Sequence, residues 1–331
     1  MPSRSKQNSQ PRDYPSYLES YHSGKIKTII EKVFKMLSSC CICPRKCKVN
    51  RLKGELGFCK TGLLPKVYSS LVHHGEEPPI SGTKGSGTIF FSYCNMACVY
   101  CQNYEFSQRG QGREVDFEEL ARFMLELQDS GCHNINLVTP THVLPQILKA
   151  LSYAIPKGLK IPIVYNTAGY ESPEIIKYLS GIIDIYLPDM RYADSAMAIK
   201  YSSAPEYPKY NQGSIKEMYR QVGTADIDSR GIMVKGLIIR HLVLPENISG
   251  TDKIMKFIRD EISQDTYISL MSQYMPYYKA PEFKEISRRL KQREYESAKE
   301  IMNELGLHNG WIQESYGSER FAGVNIKPSI I

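Results

Sequence analysis

No apolar run in this 331-residue chain approaches the ~20 residues that cross a bilayer, which argues against a membrane-spanning role. The stretch from Met1 to Ser16 lacks the apolar segment of a secretory leader. It is polar and rich in Ser, Pro, Arg and Gln, so the expectation is a cytoplasmic protein whose first dozen residues are disordered. The net charge of +7 is spread along the chain with no long Lys/Arg block, and no basic–aromatic recognition module accompanies the 23 tyrosines. Nucleic acid is therefore not favoured as a partner. There is also no internal repeat. A hydrophobic fraction of 42% and a charged fraction of 23% are ordinary for a globular protein.

What the chain does have is cysteine, nine in all. Five lie between residues 40 and 59, three between 94 and 101, and Cys132 stands alone. In a cytosolic chain of this size, such clustering points to metal binding or redox chemistry rather than disulfides.

The rhythm of the chain sets the fold. Ile26, Ile29, Ile30, Val33, Phe34 and Leu37 recur at helical spacing and lead into the first cysteine group. Residues 60–87 are rich in Gly and Pro and read as an extended connector. From Thr88, short β-branched segments alternate with helical patterns: Thr88–Ser92, Asn134–Val138, Ile161–Tyr165, Ile182–Leu187, Val234–Val243 and Tyr267–Met271. Asp116 and Glu119 have capping-box spacing ahead of an apolar stripe through Phe117, Leu120, Phe123, Met124 and Leu127. Six strands with helical crossovers predict an α/β fold with a parallel sheet, either doubly wound or an incomplete barrel. The expected organisation is a loosely packed or disordered segment over 1–23, a helix with a cysteine-rich region and connector over 24–87, a core over 88–275, and a helical extension over 276–331 that closes over the open side.

Directly after the first strand stands Cys94-Asn95-Met96-Ala97-Cys98-Val99-Tyr100-Cys101. Three thiolates in one short loop can hold three irons of a cubane that usually takes four, leaving the fourth iron open. A zinc loop fits poorly, because zinc sites generally pair a C-x2-C with a distant second pair. The C-x3-C-x2-C loop, with aromatic Tyr100 before its last cysteine, resembles the radical S-adenosylmethionine superfamily. That resemblance implies a six-stranded (β/α) partial barrel and a [4Fe-4S] cluster on Cys94, Cys98 and Cys101. It also implies S-adenosylmethionine on the open iron, a 5′-deoxyadenosyl radical, a reducing electron donor, and an adenine contact at Tyr100.

Polar segments cluster at the carboxyl ends of the predicted strands, where ligands bind in such folds. Asn166-Thr167-Ala168-Gly169, Asp189-Met190-Arg191 and the strand from Arg240 to Pro245 resemble the activating enzymes of glycyl radical enzymes, pyruvate formate-lyase activase in particular. Cys43-Pro44-Arg45-Lys46-Cys47, His74-Gly75-Glu76-Glu77-Pro78, Cys101-Gln102-Asn103-Tyr104 and Val138-Thr139-Pro140-Thr141-His142 resemble the branch of homologues of that activase. By this resemblance Asn166, Arg191 and Arg240 contact S-adenosylmethionine, with Gln273 near them, and a glycyl radical protein is a substrate. The usual Gly-Gly-Glu-Pro after strand two is absent; Thr139 and Thr141 would replace it. No cobalamin-binding domain is visible, which counts against methyl transfer.

Cys40, Cys43, Cys47 and Cys59 provide a second set of four thiolates, suited to structural zinc or another iron–sulfur cluster. His73, His74, Glu76 and Glu77 could line a substrate mouth or bind metal, or form a polar surface loop. Two further readings stay open: radical modification of a peptide, RNA or small metabolite, and a non-catalytic zinc and nucleic-acid-binding protein. No catalytic side chain can be assigned.

Overall fold

The computed structural model describes residues 14–312. The strands are β1 (Lys66–His73), β2 (Ser86–Phe91), β3 (Arg113–Glu114), β4 (Ile135–Val138), β5 (Ile163–Thr167), β6 (Ile185–Pro188), β7 (Asp226–Ile227), β8 (Met233–Leu242), β9 (Tyr267–Met271) and β10 (Gly310–Ile312). Six of them, β2, β4, β5, β6, β8 and β9, lie side by side in chain order and are all parallel. Every residue of β2, β5 and β6 is buried, as expected of parallel strands covered on both faces. The six strands agree with the expected α/β partial barrel. The sheet is nevertheless larger than six: β1 and β3 add antiparallel at one edge, β10 adds parallel to β9 at the other, and β7 pairs with β8.

The crossovers are helical because their sequences carry one apolar face. The Phe117–Asp129 helix starts where Asp116 accepts a hydrogen bond from the Glu119 backbone at 2.7 Å. Its Leu120, Phe123, Met124 and Leu127 are buried. The Leu144–Ala154 and Tyr207–Val222 helices cover later crossovers. The second is 16 residues long.

The expected connector over 60–87 is instead structured. It holds β1 and a short Pro78–Ser81 helix, which sits at the amino end of the barrel strands. Asn134, just ahead of β4, donates to the Ile80 carbonyl at 2.8 Å. Ile80 is fully buried among Val164, Ile185, Leu187, Met233 and Ile238. At 0.02–0.03 kcal/mol per Å2 of apolar surface, burying that side chain contributes on the order of 2 kcal/mol. The segment is a plug in the barrel floor, not a mouth.

Within the described part of the amino-terminal segment, a Tyr17–His22 helix forms and Tyr17 is fully buried, its hydroxyl donating to the Ile161 carbonyl at 2.9 Å. At the other end, the Gln292–Glu304 helix buries Tyr295, Ala298 and Met302. The stretch after β9 crosses to the three-cysteine loop: the Lys279 amide donates to the Val99 carbonyl at 2.8 Å, and Gln102 donates to the Gln273 carbonyl at 2.9 Å. Residues 1–13 and 313–331, which belong to the expected terminal segments, lie outside the described residues. No helix among the described residues is long and apolar enough to cross a membrane.

Candidate functional site

The three-cysteine loop leaves β2 through Tyr93, whose φ of +66° swings the chain over the barrel mouth. Its path is set by three anchors. Asn95 is fully buried and donates to the Tyr170 carbonyl at 2.6 Å. The Ala97 and Val99 amides donate to the Ser202 and Tyr201 carbonyls at 3.0 and 2.9 Å. Those carbonyls close the Ser195–Ser202 helix, which Asp194 caps.

Cys94, Cys98 and Cys101 consequently open onto one cavity, shared with Phe91, Val138, Thr139, Ala168 and Arg191. Each sulfur has a polar neighbour. Arg191 Nη1 lies 3.3 Å from the Cys98 sulfur and the Ser202 hydroxyl donates to it at 3.0 Å. The Ser107 hydroxyl is 3.1 Å from Cys101, and the Met96 amide donates to Cys94 at 3.4 Å. Burial first, then the neighbouring Cys98, pushes the Cys94 thiol up to about 12 and the Cys101 thiol up to about 11. These thiols are neutral on their own and ionise when a metal binds them. Three sulfurs facing one cavity, each with a donor at hand, fit a cubane held at three corners. Among the described residues, no three His, Cys, Asp or Glu side chains are grouped so as to hold one metal ion, which is not what a cubane asks, since its thiolates sit on separate irons.

Behind that cavity, a polar ladder crosses the barrel. Arg191 grips Asp189 Oδ2 through Nε and Nη2 at 3.0 and 2.6 Å. Asp189 Oδ1 accepts from Arg240 Nε at 2.8 Å. Arg240 then donates to Asn166 Oδ1 at 2.6 Å and pairs with Glu76 at 3.5 Å. Burial alone would raise the Asp189 carboxyl, but Arg240 and then Arg191 outweigh it and hold it below its ordinary value. Glu76 and Glu77 are pushed up by burial, with Arg240 pulling the other way. Asn166 on β5, Arg240 on β8 and Arg191 just past β6 are thus brought together as one network.

The two threonines part company. Thr139 lines the cysteine cavity. Thr141 turns away: it is 1% exposed and donates to Glu171, a fully buried carboxylate that also accepts from Thr167 and, at 3.2 Å, from Tyr165. The Tyr100 side chain points into the protein, with its hydroxyl 2.7 Å from that of Tyr192, which in turn is 2.7 Å from Ser202. Gln273 lies beside the loop through its carbonyl, not its side chain, which donates to the Met271 sulfur at 3.4 Å. His241 spends both ring nitrogens on packing, at 2.8 Å from the Met190 carbonyl and 2.9 Å from the Thr251 hydroxyl.

The first cysteine group also converges. Cys40, Cys43, Cys47 and Cys59 line one pocket, and Cys41 is outside it. Its loop is tied to the other: Arg45 Nε donates to the Asn95 carbonyl at 2.9 Å.

Sequence reading passed over Asp189 and Ser202 as site residues and left Glu76 undecided. Asp189 had a signal, lying two residues before Arg191 at the end of a strand. Ser202 had none, because it is brought to Cys98 from 104 residues away.

The radical SAM superfamily signature matches residues 88–258, just over half of the chain, starting in β2 and taking in the three-cysteine loop. The uncharacterized protein MJ0674 of Methanocaldococcus jannaschii is 32% identical over 293 residues, covering 84% of this chain and 78% of that one. MJ0808 of the same organism is 25% identical over 263 residues, 72% of this chain and 71% of that one. The X-ray structure of the FeFe-hydrogenase maturase HydG from Carboxydothermus hydrogenoformans aligns over 95% of this chain and 72% of its own, at 12% identity and a TM-score of 0.47. With the superfamily signature running from β2 through β8 and taking in the loop that carries Cys94, Cys98 and Cys101, the chain belongs to the radical SAM superfamily.

Proposed function

We propose that Cys94, Cys98 and Cys101 hold a [4Fe-4S] cluster and that S-adenosylmethionine binds over Thr139, Asn166, Arg191 and Arg240 in front of it. A bound cluster with S-adenosylmethionine supplies a 5′-deoxyadenosyl radical that takes hydrogen from a substrate. The protein's own part is placement and shielding. Arg191 and Ser202 donate toward the Cys98 sulfur and hold it facing the cavity. The Arg191–Asp189–Arg240–Asn166 ladder offers fixed cationic and amide donors to a carboxylate and acceptors to an ammonium or hydroxyl. The floor plug at Pro78–Ser81 closes the amino end, so that a substrate enters from the carboxyl end of the strands.

A glycine of a partner protein is the substrate class we favour, on the likeness of residues 166–169, 189–191 and 240–245 to the activases. An external reductant is required, and a cytoplasmic setting suits an oxygen-sensitive cluster.

The observation that carries the reading is that three cysteines from one loop open on a single cavity together with Arg191. Anaerobic reconstitution with iron and sulfide, followed by S-adenosylmethionine and a strong reductant, tests it. The expected product is 5′-deoxyadenosine, lost in Cys98→Ala with the fold intact. Undiminished product in that variant would reject the assignment.

A further inference from the structure

The buried guanidinium of Arg51 has no carboxylate partner. Its side chain is 1% exposed, and its hydrogen bonds go to neutral groups: Nε and Nη2 to the Gly62 carbonyl at 3.1 and 2.9 Å, and Nη1 to the His142 carbonyl at 3.0 Å. The remaining neighbour is sulfur, with Nη1 4.0 Å from Cys40 Sγ. Among the described residues no ion pair includes Arg51. A cation taken out of water without a counter-charge costs several kcal/mol, and an arginine cannot escape by losing its proton. Some negative charge is therefore missing from the protein atoms alone.

The pocket beside Arg51 supplies the groups that could carry it. Cys40, Cys43, Cys47 and Cys59 line it together with Arg45, Arg51 and His142, and no Asp or Glu does. His142 adds an independent sign. It is 1% exposed, and its Nε2 lies 2.8 Å from the Ser92 carbonyl, so that nitrogen carries the proton and donates. Nδ1 is then a bare lone pair, and it is buried with no partner. The backbone is shaped around the same sulfurs. Lys46 and Lys48, on either side of Cys47, and Lys60, after Cys59, have φ of +43°, +63° and +50°. A Cβ at Gly57 would stand 2.9 Å from Cys47 Cβ and Sγ, so the chain passes that sulfur closely.

We infer that Cys40, Cys43, Cys47 and Cys59 form a second metal centre, separate from the three-cysteine site, whose four thiolates give it a net negative charge that Arg51 balances. Four thiolates on one zinc, or on a [4Fe-4S] cube, leave the same overall charge of about −2, which is the property Arg51 answers. The sulfurs are not grouped about a single point as they stand. Thiols with no metal between them keep van der Waals distance, and metal binding couples to the folding that gathers them. Cys41 lies outside the set. The inference does not depend on the reading of the first site.

The test uses the full chain with Cys94, Cys98 and Cys101 all changed to Ala, so the first site is empty by construction. After anaerobic purification and dialysis, metal and acid-labile sulfide are counted, with far-UV circular dichroism confirming the fold. About one zinc per chain, or about four irons with four sulfides and broad absorption near 400 nm, supports the second centre and identifies its metal. A folded triple variant free of both overturns it. Arg51→Met, in the otherwise native chain, gives a second readout: the metal of this centre should pass to a chelator at least tenfold faster than in the native protein. An unchanged rate would contradict the charge-balance argument even if metal is present. Failure of 5′-deoxyadenosine formation bears only on the first site.

Discussion

Arg191 reaches the Cys98 sulfur at 3.3 Å with one nitrogen while two others hold Asp189. The residue is therefore tied both to the cysteine loop and to the polar ladder of the lumen. Replacing it with Met, which keeps length and removes charge, should leave the fold standing and weaken S-adenosylmethionine binding. A charge-assisted hydrogen bond of about 1.5–3 kcal/mol corresponds to roughly 10- to 150-fold in affinity. Equilibrium binding to the reconstituted protein measures this, and an affinity within threefold of native would remove Arg191 from the binding site.

Ser202 acts on the same sulfur through a neutral hydroxyl, and Tyr192 stands behind it at 2.7 Å. Ser202→Ala removes one donor from the Cys98 sulfur, which we propose as a cluster ligand. Donors to cluster sulfur favour the reduced state, so the midpoint potential should move to more negative values. An EPR-monitored redox titration reads the shift. A potential unchanged from native would mean that the hydroxyl only packs.

Gly169 has φ of +76°, and a Cβ there would collide with Asn211 Nδ2 and the Asp189 carbonyl. Gly169→Ala must therefore strain the turn or push Asp189 out of register with both arginines. The expected cost is about 2 kcal/mol or more, seen as a lower midpoint in urea, together with weaker S-adenosylmethionine binding. Normal stability and normal binding would show that the turn can relax at no cost to the ladder.

Much of this was legible in the chain, and the reason is local. Strand and helix periodicity located all six parallel strands, because each is short, β-branched and bounded by turn residues; β9 agrees to the residue. The cysteine loop was legible because its ligands are adjacent in sequence. Asn166, Arg191 and Arg240 stood out through the likeness of their segments to the activases, and the fold brings them into one network. The floor plug was not legible: residues 60–87 read as an extended connector, and only the barrel around Ile80 makes part of it a core element. Thr141 looked like a lumen residue, but the turn into the Leu144–Ala154 helix sends its hydroxyl to Glu171, 30 residues on. Arg51 drew no reading from the sequence, since its burial depends on Gly62 and His142, 11 and 91 residues away.

Glu171 gives a prediction in pH. Burial pushes its carboxyl up to about 7 despite donors on both oxygens. Its folded value lies above its unfolded one of about 4.5, so the folded state holds an extra proton between the two. Stability from this group is fullest below pH 4.5, falls as pH rises toward 7, and is level above that, a change of roughly 3 kcal/mol. His142 and His241, both held down to about 4 by burial, contribute in the opposite sense below pH 6.5. The comparison must therefore be native against Glu171→Gln. The difference in unfolding free energy should move in favour of the variant between pH 5 and 7. A difference independent of pH would show that Glu171 titrates normally.

The central claim is that three cysteines hold a cluster with one iron left for S-adenosylmethionine. The most direct measurement is the low-temperature EPR spectrum of the reduced, reconstituted protein before and after adding S-adenosylmethionine. The account predicts a reduced-cluster signal whose g-values change on addition in the native chain, and no such response once Cys94, Cys98 and Cys101 are replaced. A spectrum indifferent to S-adenosylmethionine in the native chain, with the cluster fully reduced, would contradict it.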